Sequence, residues 1–116
     1  PGHPIRLPFD LHTLELDEDR WQRWLDHDPL NLVDAYSAQL ASLEMLYLDV
    51  GSRDQYNIQY GTRAFVKRLE KLCIKHHYEE FDGTHSGMDW RLDVSLPILA
   101  RALSPNAPAE NGNTDD

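Results

Sequence analysis

Basic residues are scarce in this chain. Lysine and arginine total 11 against 20 aspartates and glutamates, a formal net charge of −9 over 116 residues. A nucleic-acid binder neutralises phosphates with a basic face, and no cluster of lysines or arginines supplies one, so that class is excluded. Cysteine is nearly absent: Cys73 alone rules out an internal disulfide and a cysteine-only zinc cage. It fits a reducing compartment, and a cytoplasmic location is the expectation. Long apolar runs are missing too. No uncharged stretch in the body, Ser95 to Ala100 included, approaches the ~20 apolar residues a membrane helix needs. No secretory signal is visible, but the chain opens on Pro1 rather than Met, which leads us to expect that natural sequence precedes it.

What is present suits one α/β domain. The chain is 41% hydrophobic and 27% charged, with three Trp, five Tyr and three Phe, a composition too rich in aromatics for disorder. Pro1, Gly2, Pro4 and Pro8 make the entry extended and irregular. Asp17 is placed to cap a short helix whose first turn is acidic and whose Trp21, Trp24 and Leu25 share a face. Asp28-Pro29 can close that helix and open another, from about 29 to 42. Residues 1–42 thus form a lid-like helical segment, in which Trp21 and Trp24 either roof a substrate pocket or pack the helix on the body.

Residues 43–104 follow another pattern. Met45 to Val50 is a short, nearly continuous apolar run ended by Gly51, as expected of a buried parallel strand. A tight loop leads into an amphipathic helix from about Asn57 to Leu72, with Tyr60, Ala64, Phe65, Leu69 and Leu72 inward. Residues 75–81 read as a second, more exposed strand, and the small, polar loop Asp82 to Gly87 leads to a last helix from about Val94 to Leu103. A strand, helix, strand order implies parallel pairing through a crossover. Two strands alone leave sheet edges and faces uncovered, which predicts self-association or a homo-oligomer. Residues 105–116 turn to Pro, Asn, Gly, Ala and acid, the composition of a disordered tail.

Ligands of an open α/β sheet bind beyond the carboxyl ends of its strands. Asp54 stands there after the first strand and His85 after the second. A carboxylate accepting from one imidazole nitrogen fixes the tautomer and leaves the other nitrogen as general base. Loop capping by Asp54 and an ordinary surface histidine at 85 are the plain alternatives. Ser86 adjoins His85, but a nucleophile belongs on a strained strand-to-helix elbow, so a loop hydrogen bond is its expected role. His76 and His77, like Glu79 and Glu80, alternate across a strand, so neither pair converges on a metal or a reacting atom, and no metal or cofactor is expected. Glu79 and Glu80 read as solvated strand residues, Arg53 as an ion-pair partner for its neighbour Asp54, and Trp90 as a pocket wall or a core residue. Cys73 sits where a small turn residue such as glycine belongs and reads as a buried apolar side chain.

The stretch Leu46-Tyr47-Leu48-Asp49-Val50-Gly51-Ser52-Arg53-Asp54-Gln55-Tyr56-Asn57 resembles the strand and acid loop of the α/β-hydrolase group that includes esterase D, enterochelin esterases and mycolyltransferases. Tyr78-Glu79-Glu80-Phe81-Asp82-Gly83-Thr84-His85-Ser86 resembles the histidine segment of that group, and Trp90-Arg91 through Ser95-Leu96-Pro97 its last loop and helix. The resemblance runs from Pro8 to Leu103. It implies the carboxyl-terminal part of an α/β-hydrolase fold acting on a small-molecule ester or thioester, with Asp54 as triad acid, His85 as triad base and no cofactor. One departure is large: no G-x-S-x-G occurs, so the nucleophilic serine and oxyanion-hole donors would lie upstream of Pro1. This chain alone should then be inactive. The alternative is a non-catalytic, hydrolase-like binding or interaction module. An unrelated flavodoxin-like unit would need a phosphate-cradling glycine loop, which the sequence lacks.

Overall fold

The computed structural model describes residues 5–104; the expected tail at 105–116 lies outside the described residues. Its elements are α1 (Glu18–Leu25), α2 (Pro29–Leu32), α3 (Ser37–Ala41), β1 (Tyr47–Gly51), α4 (Ile58–Lys71), β2 (His77–Phe81) and α5 (Arg91–Ala102). The class is mixed α/β. The strands β1 and β2 pair in parallel, with Tyr47 opposite His77 and Gly51 opposite Phe81.

Side chains alternate across this ribbon. Leu46 and Leu48 face α4 and pack on a core of Val33, Leu69 and Ile74. Tyr47 and Asp49 point the other way, toward Arg91 at the start of α5. Burial along β1 is complete only at Val50 and Gly51, so the strand expected to be buried is half-buried over its first three residues. The cover is partial: α4 packs on one face and α2 packs on α4, while Leu92 and Leu96 of α5, and Leu103 just past its end, stay exposed.

Asp17 caps α1 as expected, its carboxylate accepting from the Arg20 N–H. That helix buries none of its residues. The helix expected over 29–42 is broken into α2 and α3. Between them Val33 enters the core and the Asp34 carboxylate turns to Arg68 of α4, so tertiary packing overrides a regular helical spacing. The helix α5 starts one turn earlier than expected, at the buried Arg91. On α4 the inward positions are Gln59, Val66 and Leu69, with Phe65 half-buried; Tyr60 and Ala64, expected inward, face solvent. Tyr60 instead lies under the Arg63 guanidinium.

Cys73 is exposed, correcting the expectation of a buried side chain, but its backbone is that of a glycine-type turn, with φ at 55°. The Ile74 N–H donates to the Leu69 carbonyl at 3.0 Å, the long bond of a Schellman ending, and Ile74 joins Leu69 in the core. A side chain in this left-handed region costs about 1–2 kcal/mol. Glycine removes that strain at an unfolded-state cost of roughly 0.5–1 kcal/mol. Cys73→Gly is therefore expected to raise the unfolding free energy by about 0.5–1 kcal/mol in urea titration. A loss of stability would show that the thiol makes a contact worth more than the backbone strain.

Candidate active site

Two loops leave the carboxyl ends of the paired strands, 52–57 after β1 and 82–90 after β2. The sheet ladder continues into them: Ser52 N–H donates to the Phe81 carbonyl at 2.8 Å and Arg53 N–H to the Gly83 carbonyl at 2.9 Å. Where the backbones part, side chains take over. The Arg53 guanidinium pairs with Asp82 at 2.7 Å, on the opposite loop, and not with its neighbour Asp54 as expected. Both partners are largely exposed, so the pair adds little stability.

Asp54 is 4% exposed, and its carboxylate is the centre of the site. One oxygen accepts from the Tyr56 N–H at 2.8 Å, closing an Asx-type turn. The other lies 2.9 Å from Nδ1 of His85. Burial works to raise the Asp54 pKa, but the Tyr56 N–H, the His85 ring and the Ile58 N–H outweigh it and hold the carboxyl below its ordinary range. The site therefore offers His85 an ionised acceptor at neutral pH. With Nδ1 donating to that acceptor, the neutral ring carries its proton on Nδ1 and presents Nε2 as a lone pair.

The His85 side chain is 48% exposed, so its outer nitrogen is reachable from solvent. Tyr56 meets the ring edge-on at 5.2 Å. The geometry is that of a general base held by an anion, open on the side where a substrate or nucleophile would approach.

Sequence reasoning passed over the next residue. Gln55 reaches the histidine loop with both ends of its amide: Oε1 accepts from the His85 backbone N–H at 3.1 Å and Nε2 donates to the Ser86 hydroxyl at 3.2 Å. Ser86 thus has the loop-bonding role expected of it. The adjacency of Gln55 to the acid was the only signal available.

Arg91, which no local pattern marks as a functional residue, is 7% exposed and ties α5 to the sheet. Its guanidinium bonds Asp49 at 2.9 Å, the Tyr47 hydroxyl at 2.9 Å and the Glu79 carboxylate, and it lies over the Phe81 and Trp90 rings. Glu79 is therefore no solvated strand residue. Arg91, with His77 beside it, holds the Glu79 carboxyl below its usual range. Glu80, on the opposite face, is gripped by Arg63 and the Tyr78 hydroxyl and drawn down to about 2. His76 turns to the Ile74 carbonyl and His77 to Glu79.

Trp90 stacks edge-to-face on Phe81 at 5.5 Å, anchoring the far end of the histidine loop. Trp21 and Trp24 stay half-exposed on α1, and neither lines the apolar groove of about 590 Å³ that runs from Pro29 and Leu30 past Leu48 to Ile58 and Phe65. Among the described residues no helix is long and apolar enough to cross a membrane. Compared with known proteins, the chain matches no family model and no curated protein.

Proposed function

We propose that this chain is the carboxyl-terminal part of a serine ester hydrolase of the α/β-hydrolase fold, in which His85 is the general base and Asp54 its orienting carboxylate. The observation that carries the reading is the 2.9 Å contact between a buried carboxylate and Nδ1 of a half-exposed histidine, at adjacent carboxyl ends of two parallel strands. The resemblance of both loops to the esterase D group supports it, as does the acid-then-histidine order. A two-stranded sheet with bare apolar side chains on α5 suits a portion of a larger sheet.

In such an enzyme a serine upstream attacks an ester or thioester carbonyl. Nε2 of His85 takes the serine proton, the imidazolium is stabilised by Asp54, and the proton is returned to the leaving alcohol or thiol. Oxyanion donors would come from outside this chain's residues.

The test is the open reading frame 5′ of the codon for Pro1, followed by expression of what it encodes. The reading expects an in-frame G-x-S-x-G after a strand-like run, and hydrolysis of p-nitrophenyl acetate or an acyl thioester that falls about 10⁴-fold or more in His85→Ala. A start codon close to Pro1, or turnover unchanged by His85→Ala, overturns it. The non-catalytic binding module then becomes the better account, with the dyad as a loop fastening.

A further inference from the structure

We infer that Gln55 is the positioning residue of His85, holding the histidine backbone while Asp54 holds its ring. The inference rests on the proposed reading only in treating His85 as a base; the geometry stands without it. After Arg53 N–H has bonded the Gly83 carbonyl, the loop leaves the ladder, and the next tie across to the acid loop is the Gln55 amide. Its Oε1 takes the N–H of His85 itself, at 3.1 Å, and its Nε2 takes the hydroxyl of the following serine, at 3.2 Å. Beyond Ser86 the chain turns through Gly87 at a φ of 66°, a conformation without stiffness of its own.

A histidine whose only tether is its ring can answer rotation of the ring by moving its backbone. Here successive residues of one turn grip both ends. Asp54 Oδ2 fixes Nδ1, Gln55 Oε1 fixes the backbone N–H, and the two χ angles between them are left with one solution. The direction of the Nε2 lone pair is then set by the acid loop alone. Thr84 contributes only locally, its hydroxyl exchanging bonds with the Ser86 backbone inside the same loop.

The experiment is NMR of the chain itself, reading the χ1 couplings and the ring ¹⁵N shifts of His85 at a pH where the imidazole is neutral. The native chain is expected to show one χ1 rotamer and the Nδ1–H tautomer. Gln55→Leu, similar in size but without either polar function, is expected to average the couplings over rotamers and to move protons toward the Nε2–H form. Gln55 is exposed and outside the core, and Gln55→Asn, an amide too short to span the loops, serves as a second disrupting variant. Gln55→Glu keeps an acceptor for the His85 N–H and is expected to restore the single rotamer. Native-like couplings and tautomer in both Gln55→Leu and Gln55→Asn overturn the inference. A native chain that already shows an averaged ring and the Nε2–H tautomer removes the dyad, and with it both this inference and the hydrolase reading. No ester turnover by the protein that the extended reading frame encodes, with the Gln55 effect intact, would remove the hydrolase reading alone.

Discussion

Replacing Asp54 by asparagine is expected to lower ester turnover of the proposed hydrolase by about 10⁴-fold while leaving the fold in place. The two effects separate because the two carboxylate oxygens do different work. One accepts from the Tyr56 N–H at 2.8 Å, and an asparagine carbonyl closes the same Asx-type turn. With that oxygen so engaged, the asparagine NH₂ occupies the position of the oxygen now 2.9 Å from Nδ1 of His85. Two donors cannot share that contact. Nδ1 must become the acceptor, the ring proton moves to Nε2, and the nitrogen that should take the serine proton no longer has a lone pair. Imidazolium stabilisation is lost as well, since asparagine carries no charge. The same change is visible without turnover, as a switch of the neutral His85 ring from the Nδ1–H to the Nε2–H tautomer in ¹⁵N spectra of this chain. The carboxyl of Asp54 lies below its ordinary pKa, so its contribution to stability is full above that ordinary value and is lost as pH falls through the depressed one. Asp54→Asn should flatten that part of the acid limb in thermal unfolding. Retention of native turnover and of the Nδ1–H tautomer in Asp54→Asn would sink the assignment.

Much of this arrangement was legible in the sequence, for reasons that differ by residue. The apolar run ending at Gly51, the glycine-bounded loop around His85 and the intervening amphipathic helix follow from local pattern, and they suffice to put Asp54 and His85 on adjacent loops. Charge pairing was not legible. Arg91 lies 42 residues from Asp49, and Arg63 lies 17 from Glu80, so nothing local marks either arginine as a partner for the strands. The break between α2 and α3 has the same origin: Asp34 answers to Arg68, 34 residues on, not to its own helical register. Gln55 was hidden for another reason. Its two hydrogen bonds join loops that meet only when β1 and β2 pair, and a glutamine on a polar loop has no periodicity to betray it.

The loops meet because one position carries no side chain, and adding a single carbon there is expected to part them. Gly51 does not have a positive φ, so alanine is acceptable to its backbone; the obstacle is space. A Cβ at 51 would stand 2.6 Å from the Gly83 carbonyl oxygen, 2.8 Å from its carbon and 2.9 Å from the Thr84 oxygen. All three are backbone atoms, so no flexible side chain can swing aside, and the strand ends must separate. The Gly83 oxygen that would be pushed away is the one that accepts from Arg53 N–H, and His85 follows two residues later. Gly51→Ala is expected to cost about 1–3 kcal/mol of stability, the range for forcing extra volume into a packed site. Misplacement of His85 by about 1 Å should lower turnover of the proposed enzyme a further ~10²-fold beyond any loss of folded protein. Gly61, inside α4 with nothing within 4 Å of its added carbon, is the matched control. Gly61→Ala should instead stabilise by about 0.5–1 kcal/mol, through helix preference and a less flexible unfolded chain. The pair is read by denaturant unfolding of both variants beside the ¹⁵N tautomer of His85. If Gly51→Ala matched Gly61→Ala in stability and kept the proton on Nδ1, the close approach of the two loops would not be what holds the dyad together.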